Sequence, residues 1–294
     1  MIRLFLRSGP IVGAIGFLAA ATSFAQAPSV ATGGVVNAAS FSKNPDGTGA
    51  AVAPGALVAI FGNFPGASFA VADSVPLSTN MGNVQVTINN VNAPLDLVSP
   101  TGAFPFITAQ VPYEALSTGQ NTAVVNVVVS VNGVASAPEQ TTLLLQAPGI
   151  FTIPPTGQGN AVLVFTDPAD GVVKIAGPPS LSASINFPIA AIPRGTNAFF
   201  YATGLGAMTP PLNDGYGGLE PPAVNHQTNV YPVVLVGGMT AQVGFAGQAP
   251  GYPGVSQVNI TIPQNAPTGD AVSFQIMTAD GSITTTSAVT IAVR

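Results

Sequence analysis

Few side chains in this sequence are equipped to move a proton. The glutamates are Glu114, Glu139 and Glu220, and the single histidine is His226. Two carboxylates flanking a substrate can serve as acid and base, as in glycoside hydrolysis, so Glu114 in VPYEA and Glu220 in GLEPP are the residues to weigh for a carbohydrate-active hydrolase. Both sit among turn-forming residues, which favours placement on a turn or rim. His226 lies alone in the Pro/Asn-rich PPAVNHQTNV, and no serine occupies a Gly-x-Ser-x-Gly elbow; GVSQV (254–258) belongs to an alternating strand. A hydrolase triad is not expected, and no residue is assigned a catalytic role.

Ligand-binding chemistry has more to work with. Tyr216 (NDGYGG), Tyr231 (NVYPV) and Tyr252 (PGYPG) stand beside Gly and Pro residues that leave their rings accessible, and an aromatic face is a surface on which a sugar ring can lie. Asp167 and Asp170 in DPADG are weak calcium candidates: they lack the alternating acids of a calcium loop and suit a simple turn, so no metal is assigned. With no cysteine, thiolate metal sites and disulfides are excluded. The stretch FFYATGLGAMTPP (199–211) invites comparison with a nucleotide loop, but Thr209 stands where the third glycine belongs and two prolines follow. It reads as a strand ending in a glycine turn, and no cofactor is called for.

The elements that position these residues are β-strands. Of 294 residues, 6% are charged and 47% hydrophobic, with 33 Gly and 28 Pro; Pro and Gly break helix interiors, and few stretches carry helical charge pairs. NVQVTIN (83–89), VSQVNITI (255–262) and AVTIAV (288–293) alternate apolar and polar residues as half-buried strands do. Asn132-Gly133 and Asp280-Gly281 signal two-residue hairpins, in which both turn positions need positive φ. AVLVFTDPADGVVKI (161–175) reads as one further hairpin.

The first 27 residues read as an export signal: Arg3 and Arg7, the apolar IVGAIGFLAAA, then SFAQA, with cleavage expected after Ala25. Its apolar core is shorter than the ~20 residues of a spanning helix, and no later segment is apolar enough to span a membrane. Beyond it, Lys43, Lys174, Arg194 and Arg294 face eleven acidic residues, a formal net charge of −7. Nucleic acid and anionic membrane surfaces are therefore poor partners.

The remaining chain divides into two similar halves. PGALVAIFGNF (54–64) corresponds to PRGTNAFFYATGL (193–205), VQVTINNVNAPL (84–95) to PVVLVGGMTAQV (232–243), and VPYEALSTGQ (111–120) to IPQNAPTGD (262–270); the two hairpin dipeptides lie 148 residues apart. Such a period suits tandem sandwiches rather than a solenoid.

GGVVNAASF (33–41), APGALVAIFGNF (53–64), NAPLDLVSP (92–100), AQVPYEA (109–115), VNGVASAP (131–138), APGIFT (147–152), FYATGLGAMTPP (200–211), AGQAPGYPGVSQVNITIP (246–263) and PTGDAVSFQI (267–276) together resemble the Solibacter-type C-terminal domain family of acidobacterial secreted proteins. The resemblance covers nearly all of the chain beyond the signal. It implies units similar to IPT/TIG-type immunoglobulin-like domains, whose opening strand Gly55–Phe64 fits loosely, while the second half has Gly204-Leu205 where Asn-Phe would stand. It carries no catalytic residues to transfer.

The expected architecture is all-β: a signal peptide (1–27), a first immunoglobulin-like β-sandwich (28–150), a Pro/Gly-rich linker (151–160) and a second sandwich (161–294). The expected function is that of a secreted binding or structural module, recognising carbohydrate or a cell-surface protein through sandwich-end loops at 204–229 and 246–254. The alternatives are the Glu114/Glu220 hydrolase, a protein-contacting spacer or assembly module with exposed strand edges, and, more distantly, an outer-membrane barrel.

Overall fold

The computed structural model describes residues 26–220, 224–282 and 289–294, and the expected signal peptide lies almost wholly outside them. The described residues form strands, two short 3-10 helices and no α-helix. No helix among them is long and apolar enough to cross a membrane.

In the first half the strands of four or more residues are β1 (Ser29–Asn37), β2 (Leu57–Asn63), β3 (Val84–Ile88), β4 (Leu95–Ser99), β5 (Phe106–Gln110), β6 (Thr122–Val131) and β7 (Glu139–Leu144). One sheet runs β1-β2-β5-β4 with Ala70–Val71 at its edge; the other runs β7-β6-β3 with Val91–Asn92 at its edge. The alternation of Val84, Val86 and Ile88 turns all three inward, and with Ile60, Ile107, Val127 and Leu143 they fill the space between the sheets. This is an immunoglobulin-like sandwich of antiparallel sheets.

The second half contains β8 (Leu163–Thr166), β9 (Val173–Ala176), β10 (Asn197–Thr203), β11 (Val233–Val236), β12 (Met239–Gln248), β13 (Ser256–Thr261), β14 (Gly269–Met277) and β15 (Val289–Val293). Its order repeats the first: β8-β10-β13-β12 matches β1-β2-β5-β4, and β15-β14-β11 matches β7-β6-β3. A second core lies between, in which Phe200 and Phe274 meet edge-to-face with ring centroids 4.9 Å apart.

The turns repeat with the strands. After β3 the chain turns through Asn89-Asn90, and after β11 through Gly237-Gly238, with positive φ at all four residues. Each turn leads into a strand that pairs first with one sheet and then with the other. That switching strand also carries a β-bulge in both halves, between Leu95 and Leu97 in β4 and between Val243 and Phe245 in β12. The extra residue is Asp96 in one copy and Gly244 in the other.

Two expectations change. Residues 151–160 are not a free linker: Thr152–Ile153 and Gly159–Ala161 pair with each other, Gly159–Ala161 adds in parallel to β15, and Gly149–Ile150 already pairs with β10. Pro and Gly there shape a tight corner, and the crossing between sandwiches narrows to the few residues after Leu144. Asn132-Gly133 makes the expected hairpin, with φ of 49° and 79°. Asp280-Gly281 does not: only Gly281 has positive φ, and Gly281 N–H donates to the Thr278 carbonyl at 2.9 Å. The Asp280 carboxylate instead accepts from Thr278 Oγ1 and the Ser282 amide, bonds that pull its pKa down to about 2, while the strands it was expected to join, β14 and β15, do pair antiparallel, with Val272 opposite Ile291.

Candidate functional site

The glycines of the FFYATGLGAMTPP stretch serve a close approach between the halves. Gly204 and Gly206 have φ of +85° and +80°, and a Cβ on either would stand 2.1 Å from the carbonyl oxygen of Ala147 or Leu145 respectively. Ala147 N–H donates to the Gly204 carbonyl at 2.8 Å, and Gln146 Nε2 to the Leu205 carbonyl at 2.9 Å. Further along the same loop, Gly215 N–H donates to Gln110 Oε1 at 2.6 Å, its carbonyl accepts from Leu77 N–H, and Asp214 Oδ1 accepts from Tyr113 N–H. The 204–216 part of loop 204–229, expected to recognise a ligand, is therefore bound to the first sandwich through its backbone and the Asp214 carboxylate. Residues 246–248, expected in the other recognition loop, belong to β12.

The candidate tyrosines are separated. Tyr216 lies in the docking loop, its N–H donating to the Asn213 carbonyl. Tyr231 packs against the second core and donates its hydroxyl to Gln227. Tyr252 is 60% exposed at the junction of the halves, and its short loop is fixed from several sides: its carbonyl accepts from Gln248 Nε2 at 2.6 Å and from Val255 N–H at 3.0 Å.

Tyr252 heads an aromatic run along the outer face of β10. Buried Ala198, Phe200 and Ala202 put Phe199 and Tyr201 on the opposite, half-exposed side. Ring centroids are 6.3 Å apart for Tyr252 and Tyr201 and 5.6 Å for Tyr201 and Phe199. Beside them on β13 stand Gln257, opposite Tyr201, and Asn259, opposite Phe199. Gln257 Nε2 donates to Asn259 Oδ1 at 2.8 Å. In the first sandwich Ala59 and Thr108, which match Phe199 and Asn259, are buried, while Phe61 and Phe106, which match Tyr201 and Gln257, form a half-exposed aromatic pair with ring centroids 5.9 Å apart.

A depression adjoins each end of the run. One is a groove of about 480 Å³ that Phe199, Asn197, Asn259 and Gly244 line. The other is a cleft of about 560 Å³ between the sandwiches, lined by Leu57, Leu77, Asp73 and Asp96 from the first and by Phe151 and Tyr252 from the second. Burial pushes the Asp96 carboxyl above the ordinary range.

The expected acid–base residues are engaged elsewhere. Glu220 accepts from the Gly217 amide at 2.8 Å, and its own loop's amides hold its pKa below the usual value despite some burial; a carboxylate so held is a poor proton donor. Glu114 contacts Asp214, whose pKa burial raises to about 6, with the Glu114 carboxyl adding to the rise. Two carboxyls in mutual contact leave no room for a sugar between them, unlike the ~5–9 Å separation of glycosidase pairs. Glu139 accepts the Gly33 amide at 2.8 Å, bracing the interruption in β1, and His226 Nδ1 donates to the Pro210 carbonyl.

Asp167 and Asp170 are claimed by cations of the chain. Lys174 Nζ lies 3.0 Å from Asp167 and 2.6 Å from Asp170, and Arg294 lies 2.9 Å from Asp167. Hydrogen bonds from Ala169 N–H and Lys174 hold Asp167 below its ordinary pKa. Among the described residues no three acidic or histidine side chains gather to hold a metal.

Of these features, sequence reasoning singled out the ring of Tyr252 as accessible, and it is exposed. It missed Tyr201 and Phe199, although the alternation in Phe199-Phe200-Tyr201 carried the signal, because the stretch was read only as a strand ending in a glycine turn. It also missed Asp96, since a bulge leaves no mark in a sequence.

No family model matches the chain, and no curated protein matches it. Among solved structures, the chain is similar to the Bacteroides ovatus mixed-linkage glucan utilization locus protein SGBP-B in complex with a mixed-linkage heptasaccharide, at 12% identity and a TM-score of 0.29 over 81% of this chain and 42% of that one. It is similar to the I9–I11 tandem of titin at 12% identity and 0.18, over 82% and 61%, and to the D00–D0 domain of intimin at 14% and 0.20, over 83% and 96%. The chain thus spans less than two thirds of the first two. At these identities and scores the superpositions transfer no residue and no ligand.

Proposed function

We propose that this chain is an exported, non-catalytic carbohydrate-recognition module. The observation that carries the reading is the Phe199–Tyr201–Tyr252 run: half-exposed rings in a row, spaced 5.6 and 6.3 Å apart, with amide side chains beside them. Stacking against pyranose faces together with hydrogen bonds to hydroxyls is what such a strip provides, and three rings in succession suit a short run of consecutive sugars. The run is held in advance. Phe199 and Tyr201 project from a central strand, and the Tyr252 loop is tied to Gln248, so little ordering accompanies binding. The reading of residues 1–27 as an export signal supports export, and the motifs quoted above support a place in the secreted family they resemble.

Affinity electrophoresis and co-sedimentation against neutral, acidic and amine-bearing polysaccharides test the reading. Retardation that Tyr201→Ala and Tyr252→Ala abolish, with the melting temperature unchanged for Tyr252→Ala, supports it. Mobility unaffected by every polysaccharide overturns it.

A further inference from the structure

We propose that the cleft between the sandwiches selects a saccharide carrying a protonated amine, with Asp96 as the counter-ion of the ammonium group and Tyr252 as the face on which the sugar ring lies. This rests on the carbohydrate reading above and names its substrate class.

The first argument comes from the duplicated bulge. Asp96 and Gly244 occupy the same place in the two copies, each the extra residue of the bulge on the strand that switches sheets. A Cβ on Gly244 would meet nothing within 4 Å, so the bulge forms without a side chain there. The carboxylate at position 96 is accordingly not required by the backbone, and bulges commonly serve to aim a side chain.

The second argument is the carboxylate's isolation. Its backbone is fixed, with the Asp96 carbonyl accepting from Ala72 N–H at 2.9 Å, yet its side chain has no hydrogen bond or ion pair with any described residue, and burial alone perturbs it. The other charged residue lining the cleft is Asp73, a second acid; no Lys, Arg or His lines it. A half-buried, unpaired carboxylate is unfavourable until a cation or donor meets it.

The third is the aromatic wall. Tyr252 and Phe151 face the same cleft from the second sandwich, offering rings to the apolar face of a sugar and to an adjacent cation. Uronates and sulfated sugars would meet two like charges. N-acetylated sugars would meet Asp96 with no positive charge to offset it, whereas a 2-amino sugar supplies both ring face and ammonium.

The test is calorimetric titration of the mature chain with tetramers of glucosamine, of N-acetylglucosamine and of glucose, at physiological salt and at a pH where the sugar amine is charged. A lysine tetramer serves as a sugar-free cation. The glucosamine tetramer is expected to bind at least tenfold more tightly than the other two saccharides, and the lysine tetramer no better than they do. Asp96→Asn, and Asp96→Gly copying the other sandwich, should reduce that preference to near unity while residual saccharide binding persists; Tyr252→Ala should weaken all three saccharides. Equal binding of the three saccharides by the wild type, or an amine preference that survives both Asp96 variants, overturns the inference and leaves the carbohydrate reading standing. Equal binding of the lysine and glucosamine tetramers, untouched by Tyr252→Ala, also overturns it, as general attraction to an acidic protein. Absence of binding to every saccharide overturns both.

Discussion

The backbone amide of Tyr113, in the first sandwich, donates to the carboxylate of Asp214, in the second, at 2.9 Å. Asp214 is at the same time in contact with Glu114, so the bond that ties the halves together also sets two acids side by side. Burial and Glu114 raise the Asp214 pKa to about 6 from an ordinary 3.8. A carboxyl whose folded pKa lies above its unfolded one binds more protons in the folded state, so stability falls as pH rises through this interval. Asp214 should therefore make the protein less stable at pH 7 than near pH 4.5, by about 1 kcal/mol after allowance for solvent screening of a half-exposed group. Asp214→Asn keeps an acceptor for Tyr113, and its melting temperature should vary less over that interval than that of the wild type. Equal pH dependence in the two proteins would refute the assignment.

Thr203 provides a second tie. Its Oγ1 accepts from Leu57 N–H at 2.9 Å and donates to the Gly254 carbonyl at 2.6 Å, in a fully buried position. Thr203→Val keeps the volume and strands both backbone groups, so urea denaturation should show a loss of about 1–3 kcal/mol. Thr203→Ser, which keeps the hydroxyl, should recover most of it.

Gly204 and Gly119 are both left-handed glycines but differ in what surrounds them. Gly119 has φ of +86° with open space around it, whereas a Cβ at Gly204 would collide with the Ala147 carbonyl. Gly119→Ala should cost about 1 kcal/mol from backbone strain. Gly204→Ala adds the collision and should cost at least about 3 kcal/mol, or part the sandwiches. Similar denaturation midpoints for the two variants would remove the close approach as the reason for this glycine.

The paired turns suggest an exchange. Asn90 sits at positive φ in the first sandwich where Gly238 sits in the second, and Gly238 has nothing within 4 Å of its Cβ position. Gly238→Asn should raise stability by about 0.4–1 kcal/mol through the unfolded chain. Gly237→Asn should lower it, because its Cβ would lie 2.1 Å from Pro267. A thermal melt of each variant settles the sign.

Much of this fold was legible because strands announce themselves by alternation. Val84, Val86 and Ile88, or Val258 and Ile260, point inward as their spacing requires, and Asn132-Gly133 turns as its dipeptide demands. What stayed hidden depends on contacts between residues far apart in the chain. The partner of Gly204 is Ala147 and that of Asp214 is Tyr113, and neither pairing has a local signature; loops rich in Gly and Pro look free in a sequence whether they end in solvent or against another backbone. The exposure of Tyr252 was legible because Gly and Pro flank it. Asp96 was not, since its place depends on a register shift visible only once β4 and β5 are paired.

The docking loop bears on how the protein comes apart. Its backbone bonds to Gln110 and Leu77 and its Asp214 carboxylate bond to Tyr113, together with those at Ala147 and Thr203, join two cores that neither share residues nor need each other for strand pairing. Separate cores ordinarily melt as separate transitions. Here, unfolding of either sandwich leaves buried amides and carbonyls of the other without partners, so the two should lose structure together, as a single calorimetric event in which the interface sets the cooperativity.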